Sequence, residues 1–234
     1  MSEDSSQIQH VAFIPDGNRR WASEHKIKNI LGHRMGFEII RRSYSWLVKH
    51  NIKYATFYAF SNENWNRSSI EISYLLDLFR SVIDDSIKEF PEKGIRFICI
   101  GDWQRFPDDI RSGLERLMET TKENSTLTLT IALGYSGRNE IVRAVRKIVD
   151  DAKNNRLEIE DITEEKFADY LDTKDIPNPD IIVRTSERRI SNYLLWQMAY
   201  SEVFFVDKYW PDFTEEDFDK IIEEFSHRVR RYGK

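Results

Sequence analysis

The chain has 234 residues, 40% of them hydrophobic and 13% aromatic, which is ample for a buried core and excludes wholesale disorder. A formal net charge of −5 argues against general nucleic-acid binding, so any basic site must be local. No apolar run approaches the roughly 18 residues of a membrane span, and the polar start MSEDSSQIQ has no signal-peptide core. The single Cys99 lies inside the apolar run RFICIG, where a buried thiol in a reducing cytoplasm is the expectation.

Residues 1–9 read as a polar tail, and 10–234 as one domain. Val11–Ile14 is a short apolar strand, stopped by Pro15 and the turn Asp16-Gly17-Asn18 before Arg19, Arg20 and Trp21 open a helix. After the Gly32–Gly36 segment, Phe37, Ile40, Tyr44, Leu47 and Val48 repeat at helical spacing. KYATFYAF (53–60) is a strand, 61–67 a polar loop, and Ile72–Ile87 mark a long helix expected to end before Pro91. Strand 95–100, helix 107–122 and strand 127–133 follow, then a helix with Ile141, Val142, Val145, Ile148 and Val149 on its apolar face. A short helix over 164–171, strand 180–183, a basic loop over 184–192, strand 203–206 and a helix over 215–231 complete the pattern. This alternation predicts an α/β fold, with a mostly parallel central sheet flanked by helices on both faces. In such sheets ligands gather outside the carboxyl ends of the strands, which brings Asp16 and the 61–67 and 184–192 loops to one edge.

Two basic clusters stand at strand ends. The first is Arg19-Arg20 with His33 and Arg34; the second is Arg184–Asn192, with three guanidiniums among hydroxyl and amide side chains. A turn opening a helix beside guanidiniums suits a phosphate, and two separated clusters suggest two phosphorylated substrates. The usual signals for nucleoside triphosphates, dinucleotides, zinc and serine hydrolysis are missing: there is no P-loop, G-x-G-x-x-G, spaced His/Cys set or G-x-S-x-G. Asp84-Asp85 and Asp108-Asp109 read as solvated helix positions.

IPDGNRRWA, LGHRMG, FYAFSNENWNR, IGDWQRF, ALGYSGRNEIV and IVRTSERRISNYLLWQMAYSEVFFVDKYWPDF occur in the order found in cis-prenyltransferases, the undecaprenyl diphosphate synthase family, which the chain resembles from about Gln9 to Gly233. The resemblance implies a Mg²⁺-dependent homodimer that condenses isopentenyl diphosphate with an allylic diphosphate (farnesyl or geranylgeranyl) in cis configuration. Peripheral membrane contact would come only through the greasy product. By resemblance Asp16 holds Mg²⁺ against a diphosphate, with Glu202 as a second acidic residue for the metal. Gly17, Asn18, Arg20, Trp21 and His33 belong to the allylic site, Asn18 being associated with removal of the proton. Arg184, Arg189 and Ser191 match the isopentenyl diphosphate site. Ser61, Asn64, Trp65 and Arg67, with Glu71 just beyond, match a loop that closes over substrate.

Three features depart from the family pattern. Asn29 stands where many members carry an arginine, and the neighbouring Lys28 supplies charge without a bidentate fork. The usual T-[GS]-G-E-x-R loop is one residue shorter in Thr185-Ser186-Glu187-Arg188-Arg189. Among the expected tunnel residues Ala59, Leu76, Phe79, Ile83, Ile98, Leu127, Leu129 and Leu133, the last is bulkier than its counterpart in some long-chain members, which suggests a medium-length product. Two alternatives stay open: a non-catalytic subunit of a heteromeric prenyltransferase, and an enzyme with a different prenyl acceptor.

Overall fold

Every residue of HVAFI in β1 (His10–Ile14) is buried, as a central parallel strand requires. The computed structural model of the protein describes residues 8–228. Around β1 run β2 (Tyr54–Ser61), β3 (Ile95–Ile100), β4 (Leu127–Tyr135), β5 (Ile181–Thr185) and β6 (Glu202–Val206). They form one sheet in the order β3-β4-β2-β1-β5-β6, and every pairing is parallel.

The strand period of two sends alternate side chains to two cores. Val11, Phe13, Ala55, Phe57, Leu129 and Val183 point to one face. There they meet α2 (Asn29–Lys49), α3 (Ser69–Lys93), α4 (Asp108–Thr121) and α7 (Glu215–Ser226). Ala12, Ile14, Ala132 and Ile182 point to the other, against Tyr193 and Leu194. On that side α5 (Gly137–Lys153) docks through Gly137, whose N–H donates to the Asn192 carbonyl at 2.7 Å. Helices α1 (Asn18–Glu24) and α6 (Glu164–Ala168) are short.

Several expectations shift. Pro91 lies inside α3, where only the last turn has to absorb its missing N–H bond and the clash of its ring with the carbonyl four residues back, and Gly94, at φ +64°, closes the helix beyond it. On α5 the buried stripe is Glu140, Ala144 and Ile148, while Val142, Val145 and Val149 face outward. The stripe rotates because Glu140 finds donors inside: Tyr135 Oη at 2.6 Å, Gln197 Nε2 at 3.0 Å and the Asp172 N–H at 3.0 Å. Residues 1–7 of the expected tail, and 229–231 of the expected last helix, lie outside the described residues; α7 itself ends at Ser226, short of the expected 231. Ile8 packs on the core, and the Gln9 N–H donates to Asp180 at 2.9 Å. Among the described residues no helix is long and apolar enough to cross a membrane. Cys99 is buried, and burial pushes its thiol pKa well up.

Candidate active site

The carboxyl ends of β1, β2 and β5 open into a cleft of about 510 Å³. Asp16 stands at its centre, two residues beyond β1. Its N–H donates to Thr185 Oγ1 at 3.0 Å, and its carbonyl accepts from that hydroxyl at 2.8 Å and from the Trp210 N–H at 2.9 Å. Its carboxylate accepts from the Gly17 N–H and from Arg184 Nη2, each at 2.7 Å, and from Arg20 Nη2 at 3.4 Å. Gly17 has φ +101°, and a side chain there would stand 2.6 Å from Tyr209 Cδ1. Turn conformation and close packing both call for glycine.

Arg184 is the penultimate residue of β5 and almost fully buried, its side chain 3% exposed. Its second nitrogen donates to Ser191 Oγ at 2.6 Å and to the Arg189 carbonyl. Ser191 and Asn192 adopt left-handed φ values of +48° and +61°. Asn192 clips this turn to α5, its Oδ1 accepting from the Arg138 N–H at 2.9 Å. Arg184 is therefore a buried strut between Asp16 and the 189–191 turn, in the fork geometry that lysine lacks.

Across the cleft, Glu71 at the start of α3 gathers Arg67 at 2.8 Å, and Arg19 and His33 at 3.5 Å each. Burial first, then the neighbouring Arg67 guanidinium, lowers the His33 pKa to about 4, so the ring is neutral at pH 7. Asn18 opens α1 with its Oδ1 buried and without a hydrogen-bond partner. The glycines of the GHRMG segment explain how it is placed. A Cβ on Gly36 would fall 2.5 Å from Asn18 Oδ1, and one on Gly32 2.1 Å from the Asn18 carbonyl oxygen.

Asp16, Gly17, Asn18, Arg20, His33, Ser61, Asn64, Arg67, Arg184, Arg189 and Ser191 thus line one cleft, and Glu71 stands at its edge. Three expected residues do not join them. Trp21 turns outward, donating from Nε1 to Asp212 at 2.7 Å and lying against the tilted His25 ring. Trp65 packs edge-on against Phe60, with ring centroids 4.9 Å apart, and Arg105 covers it. Glu202 stands furthest from the cleft. It pairs in register with Ile181, and Ile181 with Val11, so it sits at the amino end of the sheet. That end faces away from the crevice, and Glu202 is held there by Arg228 at 2.6 Å.

Sequence reasoning gave no role to Glu187, which lines the cleft and binds two of its arginines, or to Thr185 and Trp210, which fix the Asp16 backbone. Their signals are tertiary. Phe37 and Ile40 on α2 line the cleft and also an apolar cavity of about 40 Å³ behind it, bounded by Phe79, Ile83, Leu129 and Leu133. Of the other expected tunnel residues, Ala59 lines the cleft instead, Ile98 points to the opposite core, and Leu76 and Leu127 belong to the packed core.

No group of three or more His, Cys, Asp or Glu side chains suited to a metal is present among the described residues. The Asp16 carboxylate, one-third exposed, fits magnesium arriving on a phosphate, since that ion is commonly held by one or two carboxylates plus substrate oxygens.

The comparisons with known proteins agree with this geometry. A family model described as putative undecaprenyl diphosphate synthase matches residues 14–233. An isoprenyl transferase of Clostridium perfringens is 42% identical over 241 residues, covering 99% of this chain and 95% of that protein. A ditrans,polycis-undecaprenyl-diphosphate synthase of Photorhabdus laumondii, specific for (2E,6E)-farnesyl diphosphate, is 44% identical over 226 residues, covering 96% and 89%. The crystal structure of lavandulyl diphosphate synthase from Lavandula x intermedia, in complex with dimethylallyl diphosphate, superposes with a TM-score of 0.94 at 31% identity, covering 99% and 100%. With a cleft of paired guanidinium clusters at the expected sheet edge and a match along nearly its whole length, the chain belongs to the undecaprenyl diphosphate synthase family and is a cis-prenyltransferase.

Proposed function

We propose that the protein condenses isopentenyl diphosphate with an allylic diphosphate, farnesyl or geranylgeranyl diphosphate. The new double bond is cis; a lengthened polyprenyl diphosphate, diphosphate and a proton leave. The observation that carries this reading is one cleft with two cationic groups around Asp16, joined at Phe37 and Ile40 to an apolar cavity. Arg20, the Gly17 turn and neutral His33 serve the allylic diphosphate, while Arg184, Arg189 and Ser191 serve isopentenyl diphosphate. As the allylic C–O bond breaks, charge builds on the leaving diphosphate, and fixed donors aimed there stabilise the transition state. Asp16 would hold a magnesium ion, which supplies further neutralisation of those oxygens when bound. Asn18 is too weak a base to take the departing proton; it orients a diphosphate oxygen that accepts it.

The reading includes a cytoplasmic location and a homodimer, the dimer favoured by the outward Val142, Val145 and Val149 of α5 and the exposed Phe205 on edge strand β6. It also includes a medium-length product, favoured by the small cavity that Leu133 helps to close, and membrane contact through that product alone.

The test incubates purified protein with Mg²⁺, labelled isopentenyl diphosphate and each allylic diphosphate. Product is expected, with a loss of about 100-fold or more in Asp16→Ala. No incorporation by the wild type overturns the proposal. Incorporation only with a second chain, or prenyl transfer to another acceptor, supports the corresponding alternative instead.

A further inference from the structure

Glu187 bridges the two halves of the cleft. Its Oε1 accepts from Arg20 Nη1 at 2.7 Å, and its Oε2 from Arg189 Nη1 at 2.7 Å. One carboxylate thus joins an arginine beside the Asp16 turn to an arginine of the loop after β5. The short loop puts it there. Thr185 ends the strand, and Ser186 turns the chain at φ +72°, its N–H donating to the Val206 carbonyl at 2.9 Å. The Glu187 N–H then folds back onto the Thr185 carbonyl at 2.9 Å. With a single residue between strand and glutamate, the side chain lies over the cleft.

We propose that Glu187 is an internal stand-in for substrate phosphate, a positioning residue that sets the affinity of the cleft for diphosphates through Arg20 and Arg189. The two guanidiniums spend the unliganded state on one carboxylate, held apart at a fixed spacing. An incoming diphosphate carries more charge and more acceptor oxygens, so it displaces the carboxylate from either arginine. Once both diphosphates are bound, the displaced charge lies against two anions and opposes them. This inference rests on the diphosphate reading of the cleft.

The proposal has a sign that sets it apart from a supporting role. If Glu187 merely braced the arginines, its neutral isostere would weaken anion binding. As a competitor, its removal strengthens it.

The experiment is calorimetric titration of the full chain with inorganic pyrophosphate at low ionic strength and without divalent ions. Wild type, Glu187→Gln and Glu187→Ala are compared, with thermal unfolding to identify the folded variants. Two half-exposed ion pairs are weak, so removing the competitor is expected to tighten binding about three- to tenfold. Steady-state kinetics should show KM for the diphosphate substrates falling while kcat does not rise. Pyrophosphate bound by the wild type but no tighter, or more weakly, by the folded variants overturns the stand-in alone. No pyrophosphate binding by any of the three overturns the diphosphate reading together with it.

Discussion

Gly32→Ala pits helix propensity against close packing. Gly32 lies in α2, where alanine is favoured by about 1 kcal/mol, so local propensity alone predicts a stabilised protein. The tertiary structure predicts the reverse. A Cβ at this position would stand 2.1 Å from the Asn18 carbonyl oxygen and 3.1 Å from Ala22 Cβ. Real Cβ contacts essentially never fall below 3.0 Å, so the helices must part by about 0.9 Å. The atom met is backbone, and no side-chain rotation relieves it. Overpacking of this kind costs about 1–3 kcal/mol, which after the propensity gain leaves up to about 2 kcal/mol of destabilisation. For a chain of this size that lowers Tm by up to about 8 °C. The larger effect falls on chemistry. Asn18 follows directly on Asp16 and Gly17, and a displacement near 1 Å costs on the order of 100-fold in rate. Thermal unfolding and kcat/KM for the prenyl-transfer reaction check both parts. A variant with raised Tm and unchanged kcat/KM would refute the argument that these glycines exist to seat α1 against α2.

Acid should weaken the fold through two imidazoles. His10 is fully buried, with Nδ1 donating to the Pro177 carbonyl at 2.6 Å and Nε2 accepting from Thr56 at 2.8 Å. Desolvation by burial lowers its pKa to about 4, as burial and Arg67 do for His33. The unfolded chain therefore binds protons first as pH drops, and the contribution present above about pH 6.5 is lost towards pH 4, by up to about 3 kcal/mol per histidine. Urea midpoints at pH 7 and 5 should differ, and His10→Gln should flatten the slope; equal midpoints contradict the assignment. Leu133→Ala should enlarge the apolar cavity and shift products upward by one or more isoprene units, read by mass spectrometry, at about 2–5 kcal/mol of stability. An unchanged product distribution means that Leu133 does not limit length.

The chain by itself determined the alternation of strands and helices, because hydrophobic period and turn chemistry are carried by neighbours in sequence. Pro15-Asp16-Gly17-Asn18 after an apolar run marks a strand end, and the Arg184–Asn192 cluster marks a basic segment, although its first two residues belong to β5 and not to the loop. Resemblance then assigned those residues to one chemistry. Periodicity misjudged α5, since it counts valines and has no means of knowing that Glu140 finds three donors inside. Resemblance offered Glu202 to the metal, whereas parallel register decides which end of a strand a residue occupies. Two further features belonged to the tertiary structure alone. Arg184 becomes a buried strut only when β5 lies beside β1, and Glu187 meets Arg20 across a separation of 167 residues. Local preferences act over a turn or two of chain, but a salt bridge or a 2.1 Å clash depends on where two distant backbones come to rest.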